Sequence, residues 1–120
     1  MDRSNLFSWQ WSLYPAGHRH RMNLVLHVLS VPFFWAGAAT LIGAPLAGHP
    51  WLSLAGLAAM VLVMALQGRG HRMEAVAPVP FEGPADVARR ILAEQFVTFP
   101  RYVFSGEFAR AWRESKPTDR

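Results

Sequence analysis

The stretch RMNLVLHVLSVPFFWAGAATLIGAPLAGHPWLSLAGLAAMVLVMALQGR, Arg21–Arg69, decides how this chain is read, because no Asp, Glu, Lys or Arg lies between its two terminal arginines. A water-soluble helical domain ordinarily turns a charged face outward on its central helices. This run has no charge to turn. A membrane span takes roughly 20 apolar residues, about 30 Å of hydrocarbon. By that measure the run divides into two candidate transmembrane helices, 22–43 and 51–68, parted by GAPLAGHPW, where Gly43, Pro45, Gly48 and Pro50 predict a turn. The second stretch is close to the lower length limit, and the competing reading is a buried hairpin in a soluble fold.

Both flanks of the run are charged and rich in arginine. The chain as a whole has 120 residues and a net charge of +4, the size of one domain, 1–120. Arg19, Arg21, Arg69 and Arg72 stand at the outer ends of the two helices and the connecting turn has no basic residue, so the positive-inside rule puts both termini in the cytoplasm. The excess positive charge then serves orientation and contact with anionic lipid. No basic patch interleaved with aromatic residues marks a nucleic-acid partner. The absence of cysteine excludes disulfides and thiolate ligands.

The N-terminal segment, 1–21, opens on Asp2 and SNLFSWQWSLYP and not on a basic patch followed by an apolar core, so it does not read as a cleavable signal. Trp9, Trp11 and Tyr14 suit a membrane interface. Beyond the second span, VAPVPFEGP is a proline-rich loop. From 86 to 112, Ala88, Ile91, Leu92, Phe96, Phe99 and Val103 follow helical spacing, with Arg89, Arg90 and Glu94 off that stripe. Pro100 predicts a kink or an end near Phe99. Glu94 and Gln95 interrupt the apolar character, which favours an interfacial or partly re-entrant helix over a third span, with a helix packed under the membrane domain as the alternative. The fold expected is all-α: an integral membrane helical hairpin with an amphipathic N-terminal segment and a kinked C-terminal amphipathic helix.

A hairpin returns the end of the second span to the level at which the first begins. His71 then meets His18, His20 and His27, while His49 stays in the opposite turn. His20, Asn23 and His27 share one helical stripe, and His18 reaches the group only from an irregular segment. Imidazole nitrogens suit zinc, copper, iron and nickel. Asn23 is a candidate to fix a ring tautomer, and Glu74, three residues after His71, is a candidate ligand, hydrogen-bond acceptor or proton carrier. Gln67 either caps the second helix or lines the pocket. An ionisable residue inside an apolar span, as His27 is, marks a functional site by default.

The plainer reading makes His18 and His20 headgroup contacts, His27 a structural histidine and His71 a helix end, in a non-enzymatic membrane scaffold or lipid-binding protein. Haem ligation by His27 and His71 is a further alternative.

YPAGHRHRMNLVLHVLSVP resembles the opening motif of the 2-hydroxy fatty acid dioxygenase family, small membrane proteins in which Tyr, His, Asn, His and Pro follow at fixed steps. Here these are Tyr14, His18, Asn23, His27 and Pro32. QGRGHRMEAVAP is similar to the second motif, giving Gln67, Gly70, His71, Glu74 and Pro78, and ILAEQFVTFP is loosely similar to the last apolar segment. Ser30 replaces a common Gly, and Glu74 is one residue nearer its His than the family pattern. The resemblance implies Fe(II)-dependent, dioxygen-consuming removal of one carbon from a 2-hydroxy fatty acid. It also implies catalytic parts for Tyr14, Asn23 and Glu74. On that chemistry Arg19, Arg69 or Arg72 would pair with the substrate carboxylate. Family spacing favours His18 in the ligand set, whereas helical phase favours His20. Oligomeric state is not legible.

Overall fold

A computed structural model describes residues 5–115, and among them there is no strand. The order is α1 (Leu6–Leu13), a 3-10 turn (Pro15–Gly17), α2 (Arg21–Leu46), a second 3-10 turn (Pro50–Leu52), α3 (Ser53–His71), α4 (Pro84–Ala93), a π-turn (Glu94–Thr98), α5 (Phe99–Phe104) and α6 (Glu107–Glu114).

α2 and α3 are each longer at their charged ends than the spans expected from the sequence, and both are long and apolar enough to cross a membrane. Pro32 and Pro45 lie inside α2 without ending it. The chain reverses only at Gly48, whose φ of 86° suits a residue without a β-carbon. α2 and α3 run antiparallel. Ser53 donates to the Leu41 carbonyl at 2.8 Å, and Gly37 meets Gly56 so closely that a β-carbon on Gly37 would lie 2.8 Å from the Gly56 oxygen. At the charged end Gly70 lies against Asn23, where no β-carbon fits.

The N-terminal segment does not stand apart as an interfacial element. Asn5 caps α1 by accepting from the Ser8 N–H at 3.1 Å, and the helix packs on α4 and the π-turn. Trp9 is buried, and Arg90 lies over its ring at 5.1 Å. Tyr14 belongs to the core cluster with Leu24, Val31, Phe99 and Tyr102, and Trp11 packs against it. These rings face protein because the π-turn and α5 pack on α2 and, with α4 against α1, give them an apolar surface to bury.

The C-terminal region also differs from one helix kinked at Pro100. The helix is widened just before the proline: the Phe99 N–H bonds the Glu94 carbonyl, five residues back. The ring clash and missing donor that end a regular helix therefore fall where the turn is already open. The break comes later, at Gly106 with φ 89°. α6 returns to α2 through Arg21, whose guanidinium donates to the Trp112 carbonyl at 2.7 Å and lies 4.1 Å from that ring centroid. Arg21 is thereby engaged by protein at the end of α2.

Candidate metal centre

Four elements each bring one ligand-type side chain to the charged end of the helix pair. His18 comes from the irregular step between the first 3-10 turn and α2, His27 from the second turn of α2, His71 from the last residue of α3, and Glu94 from the first residue of the π-turn. One donor atom from each lies within 4.8 Å of all the others. The three imidazole centroids form a near-equilateral triangle, with sides of 4.8, 4.9 and 5.0 Å, and the rings are almost perpendicular to one another.

Backbone carbonyls orient two of the rings. His18 Nδ1 is 2.8 Å from the Tyr14 carbonyl and His27 Nδ1 is 3.0 Å from the Asn23 carbonyl. A carbonyl only accepts, so in the neutral rings Nδ1 carries the proton and Nε2 presents its lone pair inward. These two Nε2 atoms lie 3.6 and 3.4 Å from Glu94 Oε2. Both Nε2 atoms, and Nδ1 of His71, are buried with no hydrogen-bond partner. Unpartnered buried polar atoms call for an explanation, and here three of them converge beside a carboxylate. Atoms bound at about 2.1 Å to one ion at right-angle to tetrahedral geometry lie about 3.0–3.4 Å apart. The two Glu94 contacts are near that spacing, and the four donors, all within 4.8 Å of one another, form a group that could close on a first-row divalent metal by a small inward shift. The carbonyl-bonded Nδ1–H groups are the usual outer support of such ligands.

Glu94 is the ligand-type residue that the sequence pattern treated as off the apolar stripe. The π-turn explains how it faces inward. Widening the helix by one residue lets Glu94 and Gln95, neighbours in sequence, both point into the protein. The turn is braced by Trp35, whose indole N–H donates to the Gln95 carbonyl at 2.7 Å. Gln95 itself is fully buried and exchanges amide hydrogen bonds with Gln67, 2.6 and 3.1 Å, while Gln67 also donates to Ser30 at 3.0 Å. A glutamine beside a glutamate on an apolar stripe was the available signal, and it read as an interruption.

Tyr14 donates to Glu94 Oε2 at 2.7 Å. Burial, and next the charge of Glu94, push this phenol well above its ordinary range, so it remains a donor. Burial pushes the Glu94 carboxyl up, but the closeness of the His18 and His27 imidazoles outweighs it and holds the group well below the usual carboxylate range.

The other residues marked in the sequence are placed differently. His20 is outside the cluster: it caps α2, with Nδ1 accepting from the Met22 N–H at 3.2 Å. The chain is extended at His20, ψ 128°, so the helical stripe that joined it to His27 does not exist. Glu74 also stands apart from the cluster. It accepts from the backbone N–H groups of Arg19 and His20 at 3.0 Å and from the Asn23 amide at 2.7 Å, which places its charge at the positive end of α2. Asn23 supports His27 through its carbonyl and not its side chain, which bonds Glu74 and the Gly17 carbonyl. Gln67 lines the pocket as one of its two readings had it, with its amide held by Gln95 and Ser30. Of Arg19, Arg69 and Arg72, all exposed, Arg72 lines the cavity that opens off the cluster. His49 is exposed at the far turn beside Trp51.

That cavity, about 560 Å³, is walled by α1, α3, the 75–81 segment and α4, and His18, His71 and Glu94 reach it. No protein-family model, no curated protein and no solved structure matches this chain.

Proposed function

We propose that the chain is an integral membrane enzyme whose His18–His27–His71–Glu94 centre holds Fe(II) and shortens 2-hydroxy fatty acids by one carbon with dioxygen. The observation that carries the metal reading is the convergence of three buried, unpartnered imidazole nitrogens on the half-buried Glu94 carboxylate. The choice of iron and of substrate comes from the sequence resemblance. Non-haem iron oxygenases commonly use two histidines and one carboxylate, and this centre offers that set with one more imidazole. Iron bound there would supply dioxygen activation and Lewis acidity toward the substrate.

The protein's own residues have separable parts in this reading. Tyr14 keeps Glu94 aimed at the histidines. Arg72, at the cavity edge, pairs with the substrate carboxylate. The mostly apolar walls accept the alkyl chain and exclude water from the centre. The membrane assignment is supported by how little of the apolar helix surface is covered: 28% of the apolar window of α2 and 17% of that of α3 is buried in the protein. A soluble core helix would be mostly buried. Leu29, Phe33, Leu54, Val61 and Leu62 then face lipid, and the arginines at the charged end, away from the turn, favour a cytoplasmic placement of both termini.

The scaffold alternative requires imidazoles turned to headgroups, whereas His18 and His27 are buried and turned to one another. Axial haem ligation requires a macrocycle between His27 and His71, whose rings are 5.0 Å apart with His18 beside both.

The test is metal analysis of protein purified without oxygen, joined to a search for chain-shortened products from 2-hydroxy fatty acids. Expected are about one iron per chain and products lost in Glu94→Gln and His27→Ala. Metal-free protein whose activity survives both substitutions would refute the reading.

A further inference from the structure

The cavity beside the centre has an uneven lining. His18, His71, Glu94 and Arg72 stand at one end. The remainder is largely apolar, bounded by Leu13 of α1, Met64 of α3, Val76 and Val79 of the 75–81 segment, and Ile91 of α4. Met64 precedes His71 by seven residues on α3, two turns or roughly 10 Å along the axis. The apolar branch thus runs from the cluster back along α3, toward the middle of the apolar span.

We infer that this branch receives the alkyl tail of an amphiphile whose acidic head lies at the cluster, and that Ile91 and Met64 set the tail length accepted. The inference rests on the proposed action on 2-hydroxy fatty acids. The whole cavity, head end included, has a volume of about 560 Å³, within the roughly 300–1,000 Å³ usual for small-molecule sites.

What makes the branch a bounded compartment is the 75–81 segment, which crosses it without regular structure and is pinned at both ends. Glu74 holds the near end to the start of α2. Arg90 holds the far end, donating to the Val79 carbonyl at 2.7 Å and the Pro80 carbonyl at 3.1 Å, with the Phe81 ring centroid 4.2 Å from its guanidinium carbon. A pinned wall resists a tail that is too long. Ile91 is half-buried on the opposite wall, one turn before Glu94, and contributes no atom to the cluster. Changing its size alters the compartment and leaves the metal ligands in place.

The experiment is binding of unbranched 2-hydroxy acids of graded length to the metal-loaded full chain in lipid nanodiscs. Affinity is expected to rise about fourfold per added methylene up to a limiting length and then to level. Ile91→Trp should move that limit to shorter acids and Ile91→Ala to longer ones, with metal content unchanged in both. If the tryptophan variant does not fold, Ile91→Ala and Met64→Ala carry the comparison. An identical limit in parent and variants, with metal and binding intact, overturns the tail assignment and leaves the proposed reaction standing. Failure of the metal-loaded parent to bind any 2-hydroxy acid overturns the reaction, and the tail assignment with it.

Discussion

Tyr14 donates its phenolic hydrogen to Glu94 at 2.7 Å while its ring lies 3.7 Å from that of His18, the planes 16° apart. One side chain thus steadies two members of the centre, one by a hydrogen bond and the other by stacking. Tyr14→Phe separates the two contributions, since it keeps the stack and removes the bond. Outer partners of metal ligands are worth about 10–100-fold in metal affinity. That loss is expected in a metal titration of the variant, with its circular dichroism unchanged; parental affinity would show that Glu94 needs no such support.

The cluster divides the histidines into two groups with opposite expected behaviour. Alanine at His18, His27 or His71 removes a ligand, and metal per chain after purification should fall toward background. Alanine at His20 removes a helix cap, which costs about 0.5–2 kcal/mol of stability, and should leave the metal content at the parental level. Elemental analysis of the four variants side by side decides the matter. Loss of metal on changing His20 would place the centre elsewhere.

Gly70 and Gly43 make a matched pair for testing the closeness of α2 and α3. A β-carbon at Gly70 collides with the Asn23 side chain, whereas one at Gly43 meets nothing within 4 Å. Gly70→Ala should cost about 1–3 kcal/mol through overpacking, and by moving Asn23 it should also weaken the hold of Glu74. Gly43→Ala should be neutral or should stabilise by about 0.5–1 kcal/mol, the usual helical preference for alanine. Unfolding in detergent reads both, and equal effects would contradict the close approach.

The Gln67–Gln95 pair calls for a double-mutant cycle. Gln67→Leu alone strands the Gln95 amide in the interior, at a cost of about 1–3 kcal/mol. Gln95→Leu does the same to Gln67. With both replaced, no amide is left unpaired and part of the loss should return. Additive losses in the unfolding free energies would show that the two side chains act independently.

Much of the architecture was legible because it is written in composition. The uncharged run from Met22 to Gly68 imposes two long helices, and Gly48 and Pro50 provide the reversal that carries His71 back to His18 and His27. Residue types at a reversal can be read one at a time. The choice between His18 and His20 was not legible, because it depends on where α2 begins, and that is fixed by Glu74 accepting from two backbone N–H groups fifty-odd residues away in sequence. Glu94 was hidden for a related reason. Helical phase at about 100° per residue puts it off the apolar stripe, and only a change of pitch brings it in. The packing of the α1 aromatic residues was not legible because Trp and Tyr suit a membrane interface and a protein interior equally well, and the protein surface they meet comes from α4, the π-turn and α5, far along the chain.

The π-turn at Glu94–Thr98 has a genetic consequence. Relative to a regular helix it contains one surplus residue, and such turns recur at functional sites. Removing a single codon there would restore a straight helix with better hydrogen bonding, and would swing Glu94 and the whole of α4 by about 100° relative to α5. The chain would gain a more regular helix and lose the convergence of Glu94 with the three histidines. At this one position a regular helix and that four-residue group exclude each other.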